Sequence, residues 1–116
     1  MSDPDCLFCK IVAGDIPADI VAESDTAIAF RDVNPQAPTH VLVIPREHLQ
    51  NVAEVANYGD VDTADLFRLA GEVAAAEGVA ETGYRMVANT GASAHQTVFH
   101  AHVHVLGGRP MGWPPG

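Results

Sequence analysis

The segment VFHAHVHVLGG, residues 98–108, places histidines at every second position: His100, His102 and His104. Half of the six histidines of the chain therefore lie within five residues. Because alternate side chains of a β-strand point to the same face, this spacing predicts a final strand with a row of imidazoles on one face. The apolar residues that alternate with them, from Phe99 to Val105, are expected to point into the core.

Three interpretations of this row agree with its spacing. A solvent-exposed strand face would carry the histidines without a function. A His-x-His pair with one more ligand would hold a catalytic zinc ion. Alternatively, one histidine is a nucleophile and its neighbours orient it and transfer protons. The spacing alone does not distinguish between them.

The composition limits the classes of function. A length of 116 residues, with 47% hydrophobic and 18% charged residues, predicts one packed domain. With 15 acidic and 6 basic residues the formal charge is −9, which argues against binding to nucleic acid or to an anionic membrane. The first residues, MSDPD, lack a secretory pattern, and no apolar run approaches the roughly 20 residues of a membrane span. We therefore expect a cytoplasmic protein.

The rest of the sequence predicts an α+β fold with an antiparallel sheet, because most strands follow one another through short loops. A short helix is expected from about Leu7, ending at Gly14 and Pro17. One or two further helical turns are expected in REHLQNVAEV, residues 46–55. The other predicted strands lie in ADIVAES, TAIAFRD, HVLVIP and YRMVAN, which are residues 18–24, 26–32, 40–45 and 84–89.

The clearest predicted helix runs from about Asp62 to Glu77. Asp62 or Thr63 is expected to cap it, and Asp65 is expected in the first turn, where the helix dipole favours a carboxylate. Apolar side chains at helical spacing predict the face that packs on the core. They are Leu66, Leu69, Ala70, Val73 and Ala74.

The loop TGASAHQT, residues 90–97, lies between the last two predicted strands. Asn89 is expected to end the first of them, and Gln96 and Thr97 come just before the second. A flexible loop rich in backbone N–H donors suits a phosphate, although an ordinary hairpin connection is the alternative. His40, which precedes a buried strand, is interpreted as a structural histidine.

Both cysteines, Cys6 and Cys9, lie in one Cys-x-x-Cys. A thioredoxin-like redox pair is one interpretation, but its usual βαβ setting is missing. Two unliganded thiols are another. The third is a structural zinc ion, for which two histidines would complete a Cys₂His₂ site.

Several segments together resemble a known family. QTVFHAHVHVLGG is similar to the histidine-triad motif, His-φ-His-φ-His-φ-φ, in which φ is apolar. LFCKIVAGDIPADIV, AFRDVNPQAPTHVLVIPREH, GYRMVANTG and the ending GGRPMGWPPG resemble the nucleotide-binding branch of this HIT family, often called Hint. The resemblance extends from about residue 6 to the last residue. The WPPG ending indicates this branch over the diadenosine-polyphosphate hydrolases.

The resemblance implies a single HIT domain over residues 1–116, with a core of about residues 6–108 and a tail of residues 109–116. It implies a five-stranded antiparallel sheet with one long and one short helix, and a homodimer whose sheets join into ten strands. The implied reaction is transfer or hydrolysis at the α-phosphate of purine nucleoside phosphoramidates, without an organic cofactor. His102 would be the nucleophile and would form a nucleotidyl-histidine intermediate. A nucleotide-binding protein with negligible turnover and a metal-dependent hydrolase are the alternatives.

The resemblance also implies roles for further residues. His104 would contact the phosphate, and His100 would support the site or bind a metal. Asn89 and Thr97 match positions that bind the phosphate or the leaving group, and Asp32 matches the position that binds the ribose hydroxyls. The apolar clamp on the base would be Phe8, Ile11, Phe30 and Val33.

The remaining implied residues lie in the phosphate loop, the tail and the metal site. Gln96 belongs to the phosphate loop, as does His95, which stands where the family commonly has glycine. Trp113 lies in a tail that approaches the site of the partner subunit. In the metal-containing relatives, the histidine after the IPREH strand and the first triad histidine complete the zinc site. The implied ligands of a structural Zn²⁺ ion here are Cys6, Cys9, His48 and His100.

Overall fold

One antiparallel sheet forms the centre of the computed structural model, which describes residues 2–116. Its strands are β1 (Ile20–Glu23), β2 (Ala27–Arg31), β3 (Thr39–Pro45), β4 (Tyr84–Val87) and β5 (Val103–Gly107). The strand order is β1-β2-β3-β5-β4, and each neighbouring pair is antiparallel. The predicted α+β fold with a five-stranded antiparallel sheet is confirmed.

The described residues also contain three α-helices, which are α1 (Leu7–Ala13), α2 (Val52–Tyr58) and α3 (Asp60–Ala76). α1 and α3 are the expected short and long helices, and α2 overlaps residues 46–55, where one or two further helical turns were expected. α1 ends as predicted at Gly14, whose φ of 80° lies in the left-handed region that glycine adopts readily. Within residues 2–116, no helix has both the length and the apolar character needed to cross a membrane.

β3 is buried along its whole length because different helices cover the two faces of the sheet. Val41 and Val43 belong to the core under α3, whereas Leu42 and Ile44 belong to the core under α1. A strand that is buried on both faces has a nearly continuous apolar sequence, as HVLVIP has. The five predicted apolar side chains of α3 are all buried in the first core: Leu66, Leu69, Ala70, Val73 and Ala74.

The histidine segment is a strand only in its second half, because β5 begins at Val103. β3 ends at Pro45, and opposite that end the carbonyl of Pro45 accepts from His100 Nε2, while the Ala101 N–H donates to the carbonyl of Leu49 at 2.6 Å. Ala101 and Val103 are buried as expected. The prediction for Phe99 was wrong: its side chain is 50% exposed, since the chain has not yet joined the sheet there.

The N-terminus of α3 also differs from the prediction. The helix follows α2 directly and starts two residues earlier than expected, so its N-cap is Gly59, without a side-chain cap. Neither Asp62 nor Thr63 is therefore the cap. The Thr63 hydroxyl instead donates to the carbonyl of Gly59 at 2.8 Å.

Asp65 lies beyond the first turn of α3 and ties the helix to the turn between β1 and β2. Its carboxylate accepts hydrogen bonds from the hydroxyls of Ser24 and Thr26, the latter at 2.6 Å. These two bonds lower the pKa of Asp65, so the group is ionised at neutral pH. The contact fixes α3 over the first hairpin of the sheet.

We expect Asp65→Asn to lower the free energy of unfolding at pH 7 by about 1–3 kcal/mol, because a neutral amide oxygen accepts the two hydrogen bonds more weakly than the carboxylate does. Glu72→Gln is the matched control, since Glu72 is an exposed residue of the same helix. We expect it to change the free energy by less than about 0.5 kcal/mol. Urea denaturation followed by circular dichroism measures both. Equal effects would show that Asp65 makes no specific contribution.

Candidate active site and metal cluster

An open cleft with a volume of about 660 Å³ lies between α1 and the sheet face that α1 covers. Its apolar wall includes the whole predicted base clamp, Phe8, Ile11, Phe30 and Val33. Its polar end includes four more predicted site residues, Asp32, Thr97, His102 and His104. The fold thus brings residues from distant segments of the chain to one cavity.

The backbone holds His102 in one tautomer. His102 Nδ1 lies 2.7 Å from the carbonyl oxygen of His100, and a carbonyl can only accept, so Nδ1 carries the hydrogen. The ring is 8% exposed and stands edge-on to Phe8, with ring centroids 5.3 Å apart. Because His102 lines the cleft, its Nε2 lone pair is available there as a nucleophile or a ligand.

A second pair of histidines lies beside His102. The Gln36 N–H donates to His40 Nδ1 at 2.9 Å, which places the hydrogen of the neutral ring on His40 Nε2. His40 Nε2 lies 2.9 Å from His104 Nδ1 and donates to it, so the hydrogen of His104 is on Nε2. The ring centroids of His102 and His104 are 5.0 Å apart. Two neighbouring imidazoles are therefore held in opposite tautomers: His102 presents a lone pair and His104 an N–H.

Burial keeps the second pair neutral. Burial, together with smaller like-charge contributions from His102 and His40, lowers the pKa of His104 to about 4. Burial also lowers the pKa of His40, although Asp32 Oδ2, 3.4 Å from His40 Nε2, opposes the shift. At neutral pH the His104 ring donates a hydrogen bond without carrying a charge.

Asp32, His40 and His104 are close enough together to be considered as a metal site. The tautomer of His40 argues against this, because its only lone pair is on Nδ1 and is taken by the Gln36 N–H. His40 was interpreted from the sequence as a structural histidine, whereas the structure shows it in contact with the triad. No local pattern reveals this contact, because it depends on the β3–β5 register that pairs Leu42 with His104.

A cluster of potential metal ligands lies on the other side of the triad. Its members are the predicted four, Cys6, Cys9, His48 and His100, with ligand atoms within 4.8 Å of one another. His100 Nδ1 is 3.4 Å from Cys6 Sγ and 3.5 Å from Cys9 Sγ. His48 Nδ1 is 3.3 Å from both Cys9 Sγ and His100 Nδ1. Standard bonds to a tetrahedral zinc ion give N–N and N–S edges of about 3.3–3.6 Å, so the cluster fits such an ion.

The surroundings of the cluster prepare its atoms for a cation. His100 Nε2 donates to the carbonyl of Pro45 at 2.8 Å, which leaves the Nδ1 lone pair facing the sulfurs. Burial lowers the pKa of His100 to about 4, so the ring is neutral. Backbone N–H groups of Asp3 and Cys9 donate to the sulfurs of Cys9 and Cys6, each at 3.4 Å. Burial raises the pKa of the Cys9 thiol, so this group needs a cation to be held as a thiolate.

The HIT domain model matches residues 13–111. The chain belongs to the HIT family. It is 43% identical over 106 residues to the purine nucleoside phosphoramidase of Escherichia coli, covering 91% of this chain and 89% of that protein. It is 49% identical over 112 residues to an uncharacterized HIT-like protein of Synechococcus elongatus, covering 97% of each. The crystal structure of a HIT family hydrolase from Legionella pneumophila aligns with a TM-score of 0.92 at 47% identity, covering 97% and 100% of the two chains.

Gln96 stabilises the loop that precedes the HIT triad. Its side-chain oxygen accepts from the Gly91 N–H at 2.9 Å. Its side-chain nitrogen donates to the carbonyls of Gln50 at 2.7 Å and Val98 at 3.1 Å. The amide that was predicted to bind substrate is therefore engaged within the protein. Of the predicted loop residues, Thr97 is the one that lines the cleft.

His95 has a φ of 65°, in the left-handed region, where glycine is the usual residue and histidine is among the better tolerated alternatives. This backbone conformation suits the glycine that the family resemblance gives at the position. The His95 side chain is exposed, and Asn89 lies two residues after the end of β4 rather than in it. Among residues 2–116, the lining of the cleft includes neither of them.

Trp113 also lies outside the cleft and is 83% exposed. The tail around it is held to β4 by Arg85, whose guanidinium donates to the carbonyl of Gly112 at 2.7 Å. An exposed tryptophan suits a contact with another subunit or with the far end of a substrate. Its approach to a partner's site stays a prediction.

We expect neutral His104 to make stability depend on pH. Its pKa in the fold, about 4, lies below the 6.5 of a free histidine, so the unfolded chain binds more protons below pH 6.5. The free energy of unfolding should therefore fall as the pH is lowered from 6.5 towards 4, by roughly 1–2 kcal/mol between pH 6.5 and 5, and should not change from this source above pH 6.5. Urea denaturation of wild type and His104→Asn at several pH values isolates the contribution of His104 to this pH dependence. Parallel curves of unfolding free energy against pH for the two proteins would contradict the expectation.

Proposed function

We propose that this HIT protein is a purine nucleoside phosphoramidase, a hydrolase or transferase acting at the α-phosphate through a nucleotidyl-His102 intermediate. The observation that carries the proposal is the His102 Nδ1–H bond to the carbonyl of His100, which directs an unprotonated Nε2 into the cleft. The name of the Escherichia coli relative supplies the substrate class. A neutral imidazole is a good nucleophile near pH 7, and the phosphoramidate it forms is labile to water.

The proposed reaction has two steps with one covalent intermediate. His102 Nε2 bonds to the α-phosphorus while the bond from phosphorus to the amine nitrogen breaks. The amine leaves with the bonding electron pair and takes up one proton from solvent. Water then bonds to phosphorus, the bond from phosphorus to Nε2 breaks, and the nucleoside monophosphate leaves as the proton returns to solvent. His104 donates from Nε2 to the phosphate or leaving group, where charge develops.

The cleft suits a nucleoside beside this phosphate position. Phe8 and Phe30 meet edge to face with centroids 5.4 Å apart and form an apolar wall for the base. Asp32 lines the cleft next to His104, where it can accept from the ribose hydroxyls. Thr97 would supply a hydroxyl to the phosphate, whereas the contact of Asn89 with the phosphate rests on the family resemblance alone, since the cleft lining within residues 2–116 does not include it. In a chain with a formal charge of −9, neutral donors of this kind replace cations.

We also propose that the metal cluster holds a structural Zn²⁺ ion. The fit of the four ligand atoms to a tetrahedron supports the choice of metal. Four protein ligands leave no open position, so the ion would stabilise the fold and would not activate water. It would bind the side chain of His100, whose carbonyl holds His102. A single residue, His100, would therefore connect the metal ion to the nucleophile.

A homodimer and a cytoplasmic location complete the proposal. β4 is an edge strand of the sheet, so its outer edge can pair with the same strand of a second copy. Cys6 and Cys9 form no disulfide, in keeping with a reducing compartment. Both inferences follow the family resemblance.

The other two functions are outcomes of the same experiments. A metal-dependent hydrolase would need a catalytic ion on the triad. The lone pair of His100 faces the thiols and that of His104 accepts from His40, which leaves His102 as the one free triad ligand. A nucleotide-binding protein with negligible turnover would bind in the cleft without an intermediate.

We expect His102→Ala to abolish hydrolysis of adenosine 5′-phosphoramidate, because alanine offers no nucleophile with which to form the covalent intermediate. His102→Asn is the sharper variant, because its side-chain N–H can keep the bond to the His100 carbonyl without supplying a nucleophile. Mass spectrometry of briefly mixed and quenched wild type should find one adenylyl group on the peptide containing His102. Full turnover by either variant would refute the mechanism. If wild type forms product without an adduct, and a chelator abolishes product formation, the metal-dependent hydrolase would be favoured.

We expect His48→Gln to lose bound zinc, whereas His95→Gln should retain one ion per chain, since His95 lies outside the cluster. The lost stabilisation should be roughly 3 kcal/mol at free zinc a hundredfold above the dissociation constant. Metal analysis of protein purified without chelator and thermal unfolding measure the two effects. Equal zinc content in the two variants, or none in wild type, would contradict the assignment. Under the structural assignment, a chelator lowers stability before it lowers turnover.

A further inference from the structure

A second cavity lies under the C-terminal tail, on the far side of the triad from the base clamp. We call it the tail cavity; its volume is about 340 Å³. Strands β4 and β5 form its floor and the tail forms its wall. Its lining includes Arg85, Val87, Leu106, Arg109 and Met111.

Two of the few cations of the chain line this cavity. Lysine and arginine number 6 in the sequence, against 15 acidic residues. Three arginines are bonded to carboxylates, as Arg31 is to Glu77 and as Arg46 and Arg68 are to their own acidic partners. Within residues 2–116, Arg85 and Arg109 bond to backbone carbonyls instead. A carbonyl satisfies a donor but carries no negative charge to form an ion pair with the guanidinium.

Both guanidinium groups have donors to spare. Each carries five N–H groups, of which Arg85 uses one, to Gly112, and Arg109 uses two, to Gln36 and Pro110. A carboxylate accepts two parallel N–H bonds from such a group, and the pair is stronger than a bond between neutral groups. A carboxylate or phosphate is therefore the chemical group that would best accept hydrogen bonds from the unused donors in the cavity.

The sheet register places the tail cavity next to the reaction centre. Val87 of β4 pairs with His104 of β5, and Arg85 pairs with Leu106. Directly opposed residues of an antiparallel pair point to the same face, as do residues two apart, so all four share the face of the cleft. Arg85 thus stands one row, roughly 6.5 Å, along the strands from His104.

The order of strands across this face gives the direction of the substrate. Phe30 lies on β2, Leu42 on β3, His104 on β5 and Arg85 on β4, and β2-β3-β5-β4 is also the spatial order. A substrate with its base on β2 and β3 and its phosphate at β5 continues towards β4. The group that continues past the phosphate is the leaving group.

We propose that Arg85 and Arg109 form an anion subsite that selects phosphoramidates whose amine carries a free carboxylate. This proposal rests on the proposed function and adds the class of leaving group to it. The carboxylate would lie in the tail cavity, bonded to one or both guanidinium groups, while the scissile nitrogen stays at His102 and His104. No new bond to the protein is formed or broken at this subsite.

The test compares two substrates that differ in one charge. The adenosine phosphoramidates of γ-aminobutyrate and of γ-aminobutyramide have the same length, and only the first ends in a carboxylate. For wild type we expect kcat/KM to be about tenfold or more higher for the carboxylate, as charge-assisted hydrogen bonds provide. In Arg85→Met the preference should fall towards one, while the rate with the amide stays within twofold. Arg109→Met is the second variant and should reduce the preference independently.

Arg68→Met is the matched control, because it removes the same charge from an exposed residue of α3. It should keep the preference, which excludes a general effect of net charge. Equal rates for the two substrates in wild type, or a preference that survives in both cavity variants, would overturn the subsite while hydrolysis itself upholds the proposed function. Absence of hydrolysis of both substrates would overturn the proposed function and the subsite with it.

Discussion

The hydrogen bond from His102 Nδ1 to the carbonyl of His100 determines what the triad can do, and the surrounding contacts serve to keep that carbonyl in place. His100 is fixed at both ring nitrogens, one facing Pro45 O and the other the two thiols. These contacts restrain the His100 side chain and, through it, the carbonyl that binds His102. Under the proposed function, a disturbance of the cluster would therefore reach the nucleophile through one residue.

The late start of β5 is part of the same arrangement. If the triad were one regular strand, its three rings would point to the same face of the sheet. The ladder instead ends at Pro45, whose carbonyl accepts from His100 Nε2. The chain before Val103 can therefore send His100 towards the thiols, while His102 and His104 line the cleft. Pro45 thus stands at the end of β3 and binds the histidine that belongs to the cluster of potential metal ligands.

Local periodicity predicted most of the framework. The apolar stripe of α3 and the alternation of buried residues between the histidines follow from spacing alone, and the structure bears them out for Leu66 and Val103, among others. What failed depended on contacts between segments. Asp65 was expected to stabilise the first turn of its own helix but binds the turn before β2. Phe99 was expected to be buried in the core but precedes the sheet and is half exposed. His40 joins the triad only through the β3–β5 pairing, a register that no single strand encodes.

The metal cluster shows a different limit of prediction from sequence. Its four potential ligands come from three segments, and no spacing within the chain indicates that these segments meet. The resemblance to a family indicated them, and the distances then gave a physical reason to accept the set.

Electrostatics separates the two ends of the site. At the reaction centre, burial lowers the pKa of His104 and so provides hydrogen-bond donors without charge, which suits a nucleophile that must itself stay neutral. A cation placed there would bind the phosphate tightly in the ground state as well as in the transition state and would gain little in rate. Under the proposed function, no bond of the substrate changes at the tail cavity, which is lined by Arg85 of β4 and Arg109 of the tail. Charges there would act on which amine is accepted, while the neutral imidazoles would act on how the bond to it is broken.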